Sequence, residues 1–270
     1  MTESPQIFLF TALASEAKPI IAHFKLKKNM QYQPFAIHSK GRYCLTVTGI
    51  GKAQAAAAVA YTQALLAQQS NPILINVGIA GHRELPLGSI RLAEKLIDAD
   101  SGRNFYPSLI FSVPCPSASV TTVSRPDSHY LHPGLVDMEA SAFYQAAVNF
   151  TGAEIIHSLK VVSDNAQAPP DNIKPTGVSE LLAGTLSTLE QLIQELTVLQ
   201  KILDDPEPEA YQPILERWHF SVSEQHRLLQ LLKHYQMLNG SGLVFDFASG
   251  KDLLRWLENT NQRLSLSVVL

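Results

Sequence analysis

The chain has 270 residues, 46% of them hydrophobic and 17% charged, a balance that supports a full globular core and excludes a disordered or highly charged tail. A net charge of −3 and a pI near 6.3 exclude broad electrostatic attraction to nucleic acid or to an anionic membrane, which leaves small molecules as the expected partners. The length fits one α/β domain with an appended segment.

In chain order, the apolar run QIFLFTA at 6–12 predicts a buried strand, and SEAKPIIAHF after it a helix. PFAIHSK and RYCLTVTG predict a hairpin around Gly41. The turn Gly49-Ile50-Gly51 then opens an alanine-rich helix from about Lys52 to Gln69. PILINVGIAG is the clearest buried strand, apolar without polar alternation, and is expected at the centre of the sheet. SIRLAEKLIDA and SASVTTVS follow, and LVDMEASAFYQAAVNF predicts a short strand that breaks into a helix around Met138 and Glu139. EIIHSLKVVSD predicts another buried strand, and residues 177–203 one long amphipathic helix. The acidic, proline-rich stretch at 204–213 predicts a linker or a helix break. Beyond it, residues 213–238 and 251–262 predict two amphipathic helices separated by the turn-like NGSG and the apolar run LVFDF.

Strands alternating with helices predict a three-layer α/β/α fold with a central mixed, mainly parallel sheet, followed by a C-terminal helical extension. The expected division is a domain over 1–203 and a mainly helical extension over 204–270. Cys44 and Cys115 lack CxxC or Cys/His spacing and predict buried free thiols, with neither a disulfide framework nor a zinc site. The start MTESPQ has neither the charged start nor the apolar stretch of a secretory signal, and no run approaches the roughly 18 apolar residues that span a bilayer, so cytoplasmic residence is expected.

Three acidic residues stand in short motifs of their own: Glu16 in TALASEAKPII, Glu139 in LVDMEASAFYQAA and Asp164 in LKVVSDNA. Each follows a strand-like run, so a parallel sheet can gather all three at its carboxyl edge. Each also has a plain structural reading. A Glu in the first turn of a helix complements the helix dipole, and an Asp after a buried strand commonly caps a helix. Gly49-Ile50-Gly51-Lys52 lacks the GxxxxGK[ST] pattern and reads as a tight turn into a helix rather than a phosphate loop. His129 and His132 have no ligand partner at metal spacing, while Trp218 and Trp256 read as packing residues.

The segments TALASEA, TGIGKAQAAAA, INVGIAGHRELPLGSI, VDMEASAF and VVSDNA, in this order over about residues 6–200, resemble the purine nucleoside phosphorylase and nucleosidase superfamily. The branch they are most similar to is that of the methylthioadenosine/S-adenosylhomocysteine nucleosidases. The resemblance implies a nucleoside phosphorylase-like fold and cleavage of an N-glycosidic bond without metal or cofactor. It implies that Asp164 donates a proton to purine N7, which requires a raised proton affinity, and that Glu16 takes the proton of an attacking water. By the same resemblance Glu139 binds the ribose 2′- and 3′-hydroxyls and Met138 packs on the sugar. Backbone at Ala80 and Gly81 approaches the ribose, and Ser163 orients Asp164. The partner implied is a small-molecule nucleoside, and the assembly a homo-oligomer, most simply a dimer.

The phosphate-binding Arg and Ser of the phosphorylases correspond to Asn76 and Ile79 here, and Glu16 stands near where a second phosphate-binding Arg is found. These substitutions favour hydrolysis over phosphorolysis, with Arg83 as the nearest cation. Between about Asp100 and Leu135 the chain is shorter than the nucleosidases, which leaves Thr122, Val123 and Ser124 as the expected base contacts. Two further readings stand beside hydrolysis: a phosphate-dependent phosphorylase, and a non-catalytic nucleoside-binding module whose tail docks a partner.

Overall fold

The run Ile7–Thr11 has no polar alternation, and such a strand is stable only where both faces of its sheet are covered. In the computed structural model, which describes residues 4–31, 34–67, 71–127, 129–170, 173–203, 207–239 and 247–267, that is where it lies. The elements up to residue 203 are β1 (Ile7–Thr11), α1 (Ala14–Phe24), β2 (Lys27–Lys28), β3 (Ala36–Lys40), β4 (Tyr43–Val47), α2 (Lys52–Leu66), β5 (Ile73–Gly81), β6 (Ile90–Asp98), β7 (Asn104–Phe105), β8 (Ser117–Thr122), β9 (Leu135–Asp137), α3 (Ala140–Ala147), a 3-10 turn (Ala153–Ile155), β10 (Ile156–Asp164), α4 (Pro175–Gly184) and α5 (Leu186–Leu203).

Strands β4, β1, β5 and β10 form a parallel ladder, with Phe10 beside Asn76 and Asn76 beside Ser158 in register. Ala17 and Ile20 of α1, with Val178, Leu182, Leu189 and Leu192 of α4 and α5, cover one face of this ladder. Ala55 and Val59 of α2, with Phe143 and Ala147 of α3, cover the other. The result is the expected three-layer α/β/α arrangement. Beyond β10 the sheet curls back: β10 pairs with β6, β6 with β8, β8 with β9, and β9 returns to β5 through Gly81 and Val136. Five strands thus close a ring beside the carboxyl ends of β5 and β10, a feature no local pattern announced.

The single long helix expected over 177–203 is two helices. Thr185 turns both its N–H (3.1 Å) and its hydroxyl (2.8 Å) back to the carbonyl of Leu182, which stops α4 before α5 begins. The helix expected over 213–238 is also two, α6 (Tyr211–Arg217) and α7 (Val222–Asn239). Trp218 is extended at φ −136°, and Ser221 restarts the chain as a capping box: its N–H donates to Glu224 Oε2 (2.9 Å), and its Oγ accepts from Glu224 N (3.4 Å). With α8 (Gly250–Ser267) these helices form their own apolar core, including Ile214, Leu228, Leu232 and Leu257. The chain divides into two units, Met1–Asp204 and Asp205–Leu270. Residues 68–70, 204–206 and 240–246, which include most of NGSG and LVFDF, lie outside the described residues. Among the described residues no helix is long and apolar enough to cross a membrane.

Candidate active site

Glu16 sits in the first turn of α1 and does what the dipole reading requires, and more. Its Oε2 accepts the N–H of Leu13 (2.8 Å), while Oε1 accepts the N–H of Ile79 (2.9 Å) at the end of β5. Burial raises its proton affinity, and the backbone donors of Ile79 and Leu13 and the charge of Lys160 work against that rise. A side chain at Gly78 would place its Cβ 2.9 Å from Glu16 Oε1, crowding that carboxyl, and in ordinary contact with Lys160 Nζ at 3.5 Å.

Glu139 stands at the N-cap of α3 yet does not cap it. That duty falls to Asp137, whose Oδ2 accepts the N–H of Ala140 (2.8 Å) and whose Oδ1 accepts the Thr122 hydroxyl (2.7 Å). Glu139 is thereby free to reach across to α2, where its Oε1 accepts the N–H of Gly51 (2.7 Å). Burial, then the charge of Asp137, push Glu139 up to about 7, with Lys160 and the Gly51 N–H pulling the other way. Lys160 projects from β10 and is 1% exposed, 2.8 Å from Asp137 Oδ2. Burial alone would lower its proton affinity, but Asp137, Glu139 and Glu16 together raise it. One buried cation therefore stands among three buried carboxyl groups.

Asp164 ends β10, and no helix follows it directly. Its Oδ1 accepts the Ser163 hydroxyl (2.6 Å), which also points at the Ala80 carbonyl (3.4 Å), and its Oδ2 accepts the Tyr130 hydroxyl (2.8 Å). Gly81 lies beneath: a Cβ there would come within 2.6 Å of Asp164 Oδ2.

A cavity of about 160 Å3 is lined by Glu16, Ala80, Gly81, Met138, Glu139, Ser163 and Asp164, so all seven residues singled out in the sequence meet at one place. Ala12, Leu13, Ile50, Ile79, Val123, Pro126, Asp127, Val136, Asp137 and Pro170 complete its walls. Of the three expected base contacts only Val123 lines it. Thr122 is buried behind Asp137, and Ser124 turns its hydroxyl to Asp100. Asn76 is buried on β5 and donates to the Phe10 carbonyl (3.2 Å), and Arg83 is exposed outside the cavity walls.

Lys52 is bound by Asp98 (3.1 Å) and Asp100, as a turn into a helix rather than a phosphate loop would have it. Cys44 is buried and Cys115 half-buried, both unpaired. No group of three or more His, Cys, Asp or Glu among the described residues is arranged to hold a metal. Sequence reading passed over Lys160, Asp137 and Tyr130. Lys160 left one signal, a cation inside an apolar strand, which demands a buried partner; Tyr130 left none.

The fold is that of the nucleoside phosphorylase-like nucleosidases. Among solved structures, the 5′-methylthioadenosine/S-adenosylhomocysteine nucleosidase of Helicobacter pylori matches with a TM-score of 0.58 at 13% identity, over 71% of this chain and 99% of that one. The corresponding nucleosidase of S. pneumoniae matches at 0.56 and 20% identity, over 70% and 99%. The futalosine hydrolase of Helicobacter pylori matches at 0.57 and 13%, over 71% and 98%. No protein-family model and no curated protein matches the chain.

Proposed function

We propose that the protein hydrolyses the N-glycosidic bond of a purine nucleoside to free base and ribose, with 1–203 as the nucleosidase domain and 204–270 as a helical extension. The observation that carries this reading is the convergence of Glu16, Glu139 and Asp164, from three separate parts of the chain, on one cavity. Cleavage of this bond builds positive charge on the ribose carbon and negative charge on the base, so an acid is needed beside the base and an activated water on the opposite sugar face. Asp164, oriented by Ser163, gives its proton to purine N7. Glu16, whose burial favours proton uptake, receives the proton of the attacking water. Glu139 accepts the ribose 2′- and 3′-hydroxyls, Met138 packs on the sugar, and Ala80 and Gly81 let backbone approach it.

Water is favoured over phosphate because the cavity walls carry Glu16, Asp127, Asp137, Glu139 and Asp164 and, among the described residues, no Lys or Arg. A phosphate dianion would be repelled by whichever of these carboxyls are ionised, and the nearest buried cation, Lys160, is already paired with Asp137 (2.8 Å). The nucleosidase names of the structurally similar proteins support a 5′-substituted adenosine as substrate. A panel of nucleosides, including such adenosines, assayed with and without phosphate should release free ribose in both cases. Ribose 1-phosphate appearing only with phosphate would make the protein a phosphorylase, and tight binding with no turnover over hours would make it a binding module. Asp164→Asn should abolish base release in a folded protein, and unchanged turnover would remove its role. On the resemblance the protein is a homodimer, and on the composition of its N-terminus it is cytoplasmic, which light scattering of the purified chain and fractionation of its host would check.

A further inference from the structure

We propose that Tyr130 is a positioning residue for Asp164: its phenol holds Oδ2 of that carboxyl and stabilises the charge left there when the proton passes to the base. This rests on the nucleosidase reading of the site. Tyr130 lies between β8 and β9, is 5% exposed, and donates its hydroxyl to Asp164 Oδ2 at 2.8 Å. Ser163 holds Oδ1 at 2.6 Å, so each carboxyl oxygen has one hydroxyl donor. The tyrosine ring is seated on Gly81, where a Cβ would come within 3.1 Å of its Cε1.

The backbone bears out that this placement is imposed. Tyr130 has φ +50°, a left-handed conformation unfavourable for a bulky aromatic residue, which persists only where its surroundings over-determine it. Asp127 braces the chain on both sides, its Oδ1 accepting from His129 N (3.1 Å) and its Oδ2 from Leu131 N (2.9 Å). Strain of this kind, at a residue whose polar atom ends on a carboxyl of the cavity, serves the carboxyl.

In the step itself, the Asp164 proton moves to a ring nitrogen of the base as the electron pair of the glycosidic bond moves into the base. The carboxylate that remains accepts the phenol hydrogen bond, and Tyr130 keeps its own proton throughout. Burial, the hydrogen bond to Asp164 and the charges of Asp164 and Asp127 all push the phenol up, which keeps it a donor. The titratable groups around the pair are Asp127 on the same loop, whose charge acts on the phenol, and Glu16, Asp137 and Glu139, which line the same cavity, with Lys160 bound to Asp137 (2.8 Å). His82, after β5, meets Asp164 only through its backbone N–H, which donates to the Asp164 carbonyl (3.0 Å), while its ring Nδ1 accepts from the N–H groups of Glu84 and Leu85.

The test is Tyr130→Phe, which keeps the ring and its packing. Carboxyl 13C NMR of Asp-labelled protein, with the signal assigned through Asp164→Asn, should show the Asp164 titration midpoint rise by about one pH unit in the variant, since a donor to the charged form is gone. Incorporation of fluorotyrosine, which strengthens the donor without removing a contact, should move the midpoint the other way. With the best nucleoside, kcat should fall by roughly tenfold with KM little changed, and the alkaline limb of kcat should move up with the midpoint. A folded Tyr130→Phe protein with unchanged midpoint and pH profile overturns the proposal while base release by the wild type leaves the nucleosidase reading intact. A wild type that releases no base from any nucleoside overturns that reading instead, and the NMR midpoints then decide alone whether Tyr130 holds Asp164.

Discussion

Glu139 keeps its proton to about pH 7 because it is buried beside Asp137. An acid whose folded value lies above its unfolded one binds more protons in the folded chain, so its contribution to stability is greatest below the unfolded value and is lost as pH rises between about 4.5 and 7. Glu139→Gln removes that loss. The melting temperature of the variant relative to wild type should therefore rise from about pH 5 to about pH 8, and a flat difference would contradict the burial argument. The same group sets a functional limit: if ionised Glu139 grips the ribose, kcat/KM should fall as pH drops below about 7. In Glu139→Gln that limb should disappear while ribose binding weakens.

Lys160 is the counter-charge of this cluster. Lys160→Met leaves Asp137 buried without its cation, which should cost on the order of 3–5 kcal/mol of stability in denaturant unfolding. Asp137→Asn combined with Lys160→Met should recover a large share, because the uncompensated charge is then gone. Equal destabilisation in single and double variants would mean that packing, not charge, is what Lys160 supplies.

At the level of strands and helices, the site depends on turns that only glycine can make. Gly134, between the loop bearing Tyr130 and β9, has φ +79°, and a Cβ there would lie 2.5 Å from the Ser119 carbonyl oxygen on β8. Gly134→Ala should lower unfolding free energy by about 2 kcal/mol or more, from the left-handed backbone and the clash together. Gly81→Ala acts differently. Its backbone is ordinary, but its Cβ would crowd Asp164 Oδ2 at 2.6 Å and force the carboxyl aside. Base release should drop by roughly 100-fold, the scale of a misplacement near 1 Å, with a smaller loss of stability than in Gly134→Ala. The helix breaks at Thr185 and Trp218 show why long apolar periodicity overstated helix length: period alone sees neither a Thr185 hydroxyl that turns back onto the Leu182 carbonyl nor a backbone that goes extended at Trp218.

For the molecule as a whole, the described residues that wall the cavity all belong to the unit Met1–Asp204. A fragment ending at Leu203 should fold cooperatively and keep base release within about threefold of the full chain. A much larger loss would mean that the helical extension takes part in the site. The extension alone, with an apolar core drawn from α6, α7 and α8, is small enough to be marginal, and circular dichroism of the fragment 205–270 should show broad, low-temperature melting.

Much of this architecture was legible in the chain. Buried strands announce themselves by unbroken apolar runs, as at Ile7–Thr11 and Ile73–Gly81, because a strand covered on both faces tolerates nothing else. Glu16, Glu139 and Asp164 were legible because each follows such a run in a short motif of its own. What only the packed chain decided are the meetings between distant segments: Gly51 with Glu139 across 88 residues, Ile79 with Glu16 across 63, and Tyr130 with Asp164 across 34. The closed ring of β5, β10, β6, β8 and β9 belongs with these. Local patterns record which face of an element is dry, whereas a hydrogen bond or a buried charge pair exists only once two remote faces share one volume.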